Sequence, residues 1–223
     1  MRKKVTERDN FAFLAVALVL LLSSAAVVDQ FASGNWQRLV QAATIVTLAI
    51  AVWSLKNERA WYRTGIGFLV AIVVVAVLGQ ALDRVGLEFA HLGILLGFFT
   101  LTAWIAARQV LFTGPIDRNK ILGAICIYLL LGLIWAVLYA MIALFTPTAF
   151  NGPAALPLYE IFPDYVYFSF VSLTTLGFGD ITPVAPVTRF LVYAEALVGQ
   201  FYLAILVASL VGVRISGQHP NSP

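Results

Sequence analysis

Six long apolar runs, almost free of charged residues, constrain the fold of this chain more than any other feature. They cover Phe11–Val28, Leu39–Leu55, Thr64–Leu82, Phe89–Ala107, Ile121–Phe145 and Phe190–Val213. Each run is close to the ~20 residues that an α-helix needs to cross a bilayer. A closed barrel would need alternating strands of about ten residues, and these runs do not alternate. The sequence therefore predicts an all-α membrane protein with six transmembrane helices.

The composition supports lipid as the solvent of this chain. Of its 223 residues, 61% are hydrophobic and only 11% are charged. A soluble domain carries about 25% charged residues, because its surface must face water. Two histidines and one cysteine, far apart in the sequence, supply no nucleophile, base or metal cluster among the spans. We therefore expect a membrane protein that is not an enzyme.

The distribution of basic residues predicts the orientation of the helices. With the N-terminus inside, the inner segments hold 11 of the 14 lysines and arginines, and the outer segments hold 3. The three outer residues are Arg38, Arg84 and Arg189. Cytoplasmic loops of membrane proteins carry such an excess of positive charge. This predicts a multi-pass protein of the plasma (inner) membrane with both termini in the cytoplasm.

The outer segment between the fifth and sixth runs breaks this pattern. It contains the apolar stretch Tyr165–Leu173, which is too short to cross a bilayer. Asp164 precedes the stretch, where the first turn of a helix favours a carboxylate. The segment Thr174–Asp180, which contains two glycines, follows directly. This order predicts a re-entrant pore helix followed by a strand whose backbone neighbouring protein must cover.

The glycines of this strand have the spacing that a cation filter needs. Backbone carbonyls can replace the hydration shell of a cation only if successive carbonyls point toward one axis. Such a backbone alternates between conformations, one of which L-residues resist, so glycine is needed at alternate positions. Gly177 and Gly179 have this spacing, and Thr175 adds a hydroxyl at the inner end. One chain cannot surround an ion, so symmetric copies must assemble around an axis.

The five residues Thr175, Leu176, Gly177, Phe178 and Gly179 resemble the TVGYG filter of the potassium channel superfamily. The similarity covers about the last hundred residues, and it continues without a gap into the last run. Arg189 and Gly199 lie where two-helix bacterial members have an arginine near the start of the inner helix and a hinge glycine. The chain thus resembles a bacterial member with six spans and a single pore loop.

The resemblance implies a homotetramer that conducts K⁺ through the membrane, in contact with lipid and without nucleic acid. In such a pore the K⁺ ions are bound by the carbonyls of Thr175, Leu176, Gly177 and Phe178 and by the Thr175 hydroxyl. Asp180 would make the outer mouth acidic and concentrate cations there. No cofactor other than the bound ions is implied.

Some residues around the filter differ from the common family pattern. Leu176 and Phe178 replace a valine and a tyrosine, and Tyr167 and Phe168 replace two tryptophans. Val171 stands where some bacterial members have a glutamate. We therefore expect fewer polar contacts around this filter, and a conductive shape that is sensitive to external K⁺. The filter itself becomes a candidate gate.

The sixth run contains the remaining candidate residues. Gly199 is a predicted hinge, and a stripe at helical spacing is a predicted cavity lining, although ordinary helix packing explains it equally well. The stripe consists of Gln200, Leu203, Val207 and Val211. A carboxyl within a span is costly and is usually paired or functional. For Glu195 we expect a hydrogen bond to Ser169 or Ser172 on the pore helix, supporting the filter; the alternative is a role in conducting ions.

The predicted domains follow from these assignments. Residues 1–112 form a peripheral four-helix domain, 113–120 a linker, 121–214 the pore domain, and 215–223 a disordered tail. The fourth run has the position of a voltage sensor, but its only arginine, Arg108, lies at its inner end. We therefore expect a potassium channel that is not steeply voltage-gated. A non-selective monovalent cation channel and a non-conducting accessory subunit are the alternatives.

Overall fold

The structure, a computed structural model, describes residues 10–31, 45–53, 59–82, 85–112, 118–152 and 158–216. These residues form seven helices and one short antiparallel ribbon. The helices are α1 (Asn10–Phe31), α2 (45–53), α3 (Arg59–Leu82), α4 (Val85–Phe112), α5 (Arg118–Phe145), α6 (Leu158–Leu173) and α7 (Pro186–Ser216). The ribbon pairs β1 (Phe150–Asn151) with β2 (Thr182–Pro183).

Three helices in the described part of the chain are long and apolar enough to cross a membrane. The spanning segments are Gly86–Val110, Arg118–Phe145 and Pro186–Ser209. They correspond to the fourth, fifth and sixth apolar runs. Shorter apolar helices cover Phe11–Ser23 and Tyr62–Val75. The protein is therefore an all-helical membrane protein, and three of its six predicted spans remain predictions.

Helix α5 lies at the centre of the fold and packs against α1, α4, α6 and α7. Two glycines allow its neighbours to come close. A Cβ atom on Gly123 would lie 2.6 Å from Val110 Cγ2 of α4, and one on Gly132 would lie 2.6 Å from Phe170 Cζ of α6. Leucines fill the space between the helices; the fully buried ones include Leu14, Leu18, Leu48, Leu92, Leu130 and Leu133.

Helix α6, the predicted pore helix, is longer than the sequence predicts. It begins at Leu158 rather than near Asp164, and Pro163 lies inside it. Asp164 is therefore in the second turn, and the expected position at the helix start was wrong. The later start was predicted because Asp164 directly precedes the apolar stretch Tyr165–Leu173, and the helix instead includes six residues before Asp164.

Two helices extend into predicted non-helical segments. Helix α5 begins at Arg118, so the last three residues of the predicted linker 113–120 are helical. Helix α7 continues to Ser216, two residues into the predicted tail 215–223. The rest of both segments lies outside the described residues.

The ribbon connects the end of α5 to the segment that precedes α7. Phe150 pairs with Pro183, and Asn151 pairs with Thr182. Next to the ribbon, a Cβ atom on Gly152 would lie 2.5 Å from the carbonyl oxygen of Asp180. The ribbon therefore holds the α5–α6 connection against the segment between α6 and α7.

Candidate functional site

The segment that follows α6 has a backbone that alternates with a period of two residues. Thr175, Gly177 and Gly179 have positive φ angles of 60°, 58° and 82°. Leu176 and Phe178, which lie between them, do not have positive φ. A positive φ is unusual for a β-branched residue, so Thr175 is a genuine outlier. This is the alternation that the spacing of the two glycines predicts.

The amides of this segment point back to the end of α6. Thr175 N donates to Ser172 O at 2.9 Å, and Leu176 N donates to Val171 O at 2.9 Å. Gly177 N also approaches Val171 O, at 3.4 Å. The last carbonyls of a helix have no partner within the helix, so they are available for this role.

The carbonyl direction follows from peptide geometry. In a trans peptide unit the N–H and the C=O of the preceding residue point in opposite directions. Because the amides of residues 175–177 face α6, the carbonyls of Thr174, Thr175 and Leu176 point away from it. Three successive carbonyls thus face the open side of the chain. Such a row can coordinate a cation if further rows complete the shell.

The side chains of this segment are exposed in the single chain. Leu176 is 59% exposed and Phe178 is 65% exposed, whereas Leu173, at the end of α6, is fully buried. Large apolar side chains at this exposure lack neighbours that lipid or further subunits can supply.

At the C-terminal end of the segment, the Tyr167 side chain holds Asp180. The Tyr167 hydroxyl donates to Asp180 Oδ2 at 2.7 Å, and Ile181 N donates to Asp180 Oδ1 at 3.0 Å. The hydrogen bond from Tyr167, together with backbone amides, holds the pKa of Asp180 below its usual value of 3.8. The sequence predicts both residues at the site, but the replacement of two tryptophans by Tyr167 and Phe168 predicted fewer polar contacts and not this hydrogen bond.

Behind the segment, aromatic side chains form a compact cluster. Phe168 is 5% exposed, and its ring centroid lies 5.2 Å from that of Tyr139 and 5.5 Å from that of Phe150. Tyr165 packs on Phe150 as well, with ring centroids 5.3 Å apart. Val171 is also buried. Apolar packing therefore dominates at positions 168 and 171.

Glu195 joins three helices. Its side chain is fully buried on α7. Tyr139 of α5 donates its hydroxyl to Oε2 at 2.5 Å, and Ser169 of α6 approaches Oε1 at 2.5 Å. The Ser169 hydroxyl also lies 2.7 Å from Gly132 O of α5. The hydrogen bond to Ser169 that the sequence predicts is therefore present, and the bond from Tyr139 is additional.

At the N-terminal end of the segment, α7 passes very close to α6. A Cβ atom on Gly199 would lie 2.2 Å from Leu173 O, a backbone atom that cannot move aside. One residue later, Gln200 Nε2 donates to Thr175 Oγ1 at 3.2 Å. Tyr128 of α5 donates to the same Leu173 carbonyl at 3.3 Å. Gly199, predicted as a hinge, is thus a contact point between α7 and α6.

The remaining residues of the predicted cavity stripe lie further along α7. Gln200 and Val207 are exposed, and Leu203 is 37% exposed. Val211 lies within α7, but its side-chain surroundings are outside the described part of the structure. The described part of the stripe is therefore partly to largely exposed in the single chain, although Gln200 contacts Thr175.

Sequence reasoning missed two tyrosines of this site. Tyr139 and Tyr128 lie in the apolar α5, 56 and 45 residues from their respective partners Glu195 and Leu173. The available signal was chemical, because a buried tyrosine hydroxyl needs a hydrogen-bond partner. The sequence alone did not identify the partners.

Comparison with known proteins places this site in a family. The family described as "Ion channel" matches residues 121–214, from α5 to α7. The chain is 31% identical over 134 residues to Protein LctB of Bacillus caldotenax. The aligned region covers 56% of this chain and 96% of that relative. Protein LctB of Geobacillus stearothermophilus matches with the same identity and coverage. No solved structure matches the chain.

The matched region contains the central helix α5, the short apolar helix α6, the alternating segment and α7. These elements together form the pore domain of an ion channel. This chain is therefore a membrane protein that belongs to the ion channel family and is not an enzyme.

Proposed function

We propose that this chain is one subunit of a homotetrameric potassium channel in which residues 175–179 form the selectivity filter. One observation carries the proposal: three successive amides, on residues 175–177, donate to α6, and three successive carbonyls therefore point the other way. Carbonyl oxygens in closely spaced rings replace the hydration shell of K⁺. The positive φ angles at Thr175, Gly177 and Gly179 support the continuation of this row through Phe178.

The K⁺ sites in this proposal are formed by the carbonyls of Thr175, Leu176, Gly177 and Phe178, with the Thr175 hydroxyl at the inner end. Asp180 lies at the outer mouth, where its lowered pKa keeps it negatively charged. A negative charge at the mouth raises the local cation concentration. Tyr167, Phe168, Val171 and Glu195 act as supports that position the filter from α6 and α7.

Four copies are required because one chain supplies only one row of oxygens. A cyclic arrangement places four equivalent rows around one axis. The exposure of Leu176, Phe178 and the stripe from Gln200 to Val207 supports this arrangement, since these residues would line or border the central path.

The rest of the chain completes the proposal. Residues 1–112 form a peripheral domain of four spans that does not sense voltage, 113–120 connect it to the pore domain 121–214, and 215–223 form a tail. Both termini lie in the cytoplasm, and the protein sits in the plasma (inner) membrane. The distribution of lysine and arginine supports this orientation.

The test is ion flux through the purified full chain in a planar bilayer. With K⁺ and Na⁺ on both sides at different ratios, we expect the reversal potential to follow the K⁺ gradient. A reversal potential that weights Na⁺ and K⁺ equally would support the non-selective cation channel instead. Absence of any current from correctly assembled protein would support an accessory subunit.

A further inference from the structure

The contact between Gln200 and Thr175 lies where the inner helix α7 meets the start of the alternating segment. Thr175 has the positive φ that L-residues resist. Its amide is already held by Ser172 O, so the backbone is fixed from behind. Its side chain is held by Gln200 Nε2 at 3.2 Å.

Only the close approach of α7 makes this contact possible. Gly199 has no side chain, and a Cβ there would lie 2.2 Å from Leu173 O. The helix backbone is therefore next to the end of α6, two residues before Thr175. From that position the Gln200 side chain is long enough to reach the Thr175 hydroxyl.

The direction of the hydrogen bond determines what the hydroxyl can offer. A threonine hydroxyl has two lone pairs and one proton. The amide of Gln200 donates into one lone pair, so it fixes the rotation of the side chain and leaves the second lone pair available. Because the hydroxyl is at the inner end of the carbonyl row, that lone pair is available to a cation entering from the inside.

We propose that Gln200 is a positioning residue for the innermost ion site, holding the Thr175 hydroxyl in the orientation that binds K⁺. This inference rests on the proposed function, since it assigns to Thr175 a role as an ion ligand. It also links the inner helix to the filter, because a movement of α7 at Gly199 would carry Gln200 away from Thr175.

The test uses the full chain reconstituted in liposomes, with K⁺ flux measured as a function of K⁺ concentration. In Gln200→Leu the hydrogen bond is lost, and we expect the K⁺ concentration for half-maximal flux to rise roughly fivefold, as for the loss of one ordinary hydrogen bond. We expect Gln200→Asn, which keeps the amide but is one methylene shorter, to behave in the same way. Val198→Leu, a substitution at an exposed neighbouring position on α7, is the matched control and should leave the value unchanged.

A double-variant cycle separates positioning from packing. In a Thr175→Ala background the hydroxyl is absent, so Gln200→Leu should have no further effect on the K⁺ dependence of flux or on K⁺ binding measured by calorimetry. An effect of full size in that background would overturn the inference, as would wild-type K⁺ dependence in both Gln200 variants. If the unsubstituted protein fails to select K⁺, the proposed function fails instead, and the two failures are distinguishable.

Discussion

Thr175 is the residue at which chemistry and backbone geometry are in greatest conflict. In the proposed filter its hydroxyl serves as an ion ligand at the inner end of the carbonyl row, yet its φ of 60° favours glycine. The conflict is resolved by contacts: its amide is bonded to Ser172 O, and its side chain is bonded to Gln200. Strained residues of this kind persist only where the surrounding structure determines their conformation.

A substitution at Gly177 tests the effect of backbone conformation separately from the effect of a steric clash. A Cβ at this position would meet nothing within 4 Å in the single chain, but the φ of 58° resists an L side chain. We expect Gly177→Ala to abolish K⁺-selective flux while the protein still assembles. The matched control is Gly67→Ala, where a Cβ also meets nothing and no positive φ is required. Selective flux that survives in Gly177→Ala would contradict the filter assignment.

Tyr167 offers a test at the outer end, through the pH dependence of stability. Asp180 has a folded-state pKa below 3.8, so its contribution to stability is present above about pH 3.8 and is lost as the pH falls through the folded-state value. In Tyr167→Phe the pKa of Asp180 should rise toward 3.8, because the strongest cause of its lowering is removed. We expect the stability difference between the two proteins to be complete above pH 3.8 and to disappear in stronger acid.

The measurement is thermal unfolding in detergent at a series of pH values. Tyr193→Phe is the matched control, because Tyr193 is exposed on α7 and packs only edge-on against Phe190 among its described ring contacts. A stability difference that stays constant through the acid range would show that Tyr167 does not act through Asp180.

At the scale of elements, α5, α6 and α7 meet at Glu195. The carboxyl receives hydroxyl groups from two other helices, and all three side chains are buried. A buried polar group that is left without a partner costs about 1–3 kcal/mol. The three-helix junction therefore fixes where α6, and with it the segment 175–179, lies relative to α7.

Ser169→Ala should destabilise the fold by about 1–3 kcal/mol, since Glu195 Oε1 then loses its partner. Ser209→Ala is the matched control: Ser209 is exposed, and its hydroxyl bonds only to Ile205 O in its own helix. Its effect should remain within about 0.5 kcal/mol. The free energy of unfolding in denaturant is the measurement, and equal effects of the two substitutions would refute a structural role for the junction.

The elements were largely predictable from sequence, whereas their junctions were not. The last three apolar runs coincide with the three helices that, among the described residues, are long and apolar enough to span, because uncharged length is a strong local signal. The glycine spacing likewise predicted the alternating φ, since that constraint acts on neighbouring residues. The start of α6 was missed at Pro163, and the bond between Tyr139 and Glu195 was missed because it joins positions 56 residues apart. Such pairing depends on helix packing, which periodicity does not determine.

At the scale of the whole molecule, one face of α7 is not covered by the rest of the single chain. Its exposed face carries large apolar side chains, including Phe190, Tyr193, Leu197, Phe201 and Ile205. Lipid can cover part of such a face, and in the proposed tetramer neighbouring subunits would cover the exposed side chains of Leu176 and Phe178. A single chain would then be incomplete as a channel.

The proposed assembly predicts a definite mass. In native mass spectrometry from detergent, we expect a principal species of four chains, about four times the 24.3 kDa of one chain. A dimer would be compatible with the proposal only if each chain carried two pore loops, and the described residues contain one re-entrant helix followed by an alternating segment. A stable monomer or dimer with K⁺-selective flux would therefore contradict the fourfold assembly.

The fourth helix predicts how the whole channel responds to voltage. Arg108 is the only lysine or arginine in Val85–Phe112, and it is exposed near the C-terminal end of the helix. One charge crossing the whole membrane contributes about 2.3 kcal/mol per 100 mV, and a charge near the end of a helix crosses little of it. We expect a shallow conductance–voltage relation that Arg108→Gln leaves unchanged. A steep relation, or a large loss of slope in the variant, would indicate a gating charge.

The alternating φ of residues 175–179 has a consequence for chirality. At positions 175, 177 and 179 the backbone takes the hand that suits a mirror-image amino acid, and at 176 and 178 it takes the ordinary hand. Glycine is the one achiral residue in the genetic code, so it adopts this conformation without strain at 177 and 179. Thr175 adopts the same conformation although it is an L-residue, and it supplies a hydroxyl that glycine lacks. Leucine and phenylalanine can occupy 176 and 178 because ordinary handedness places no such restriction there. The backbone of this segment thus resembles a polymer built from alternating left- and right-handed units.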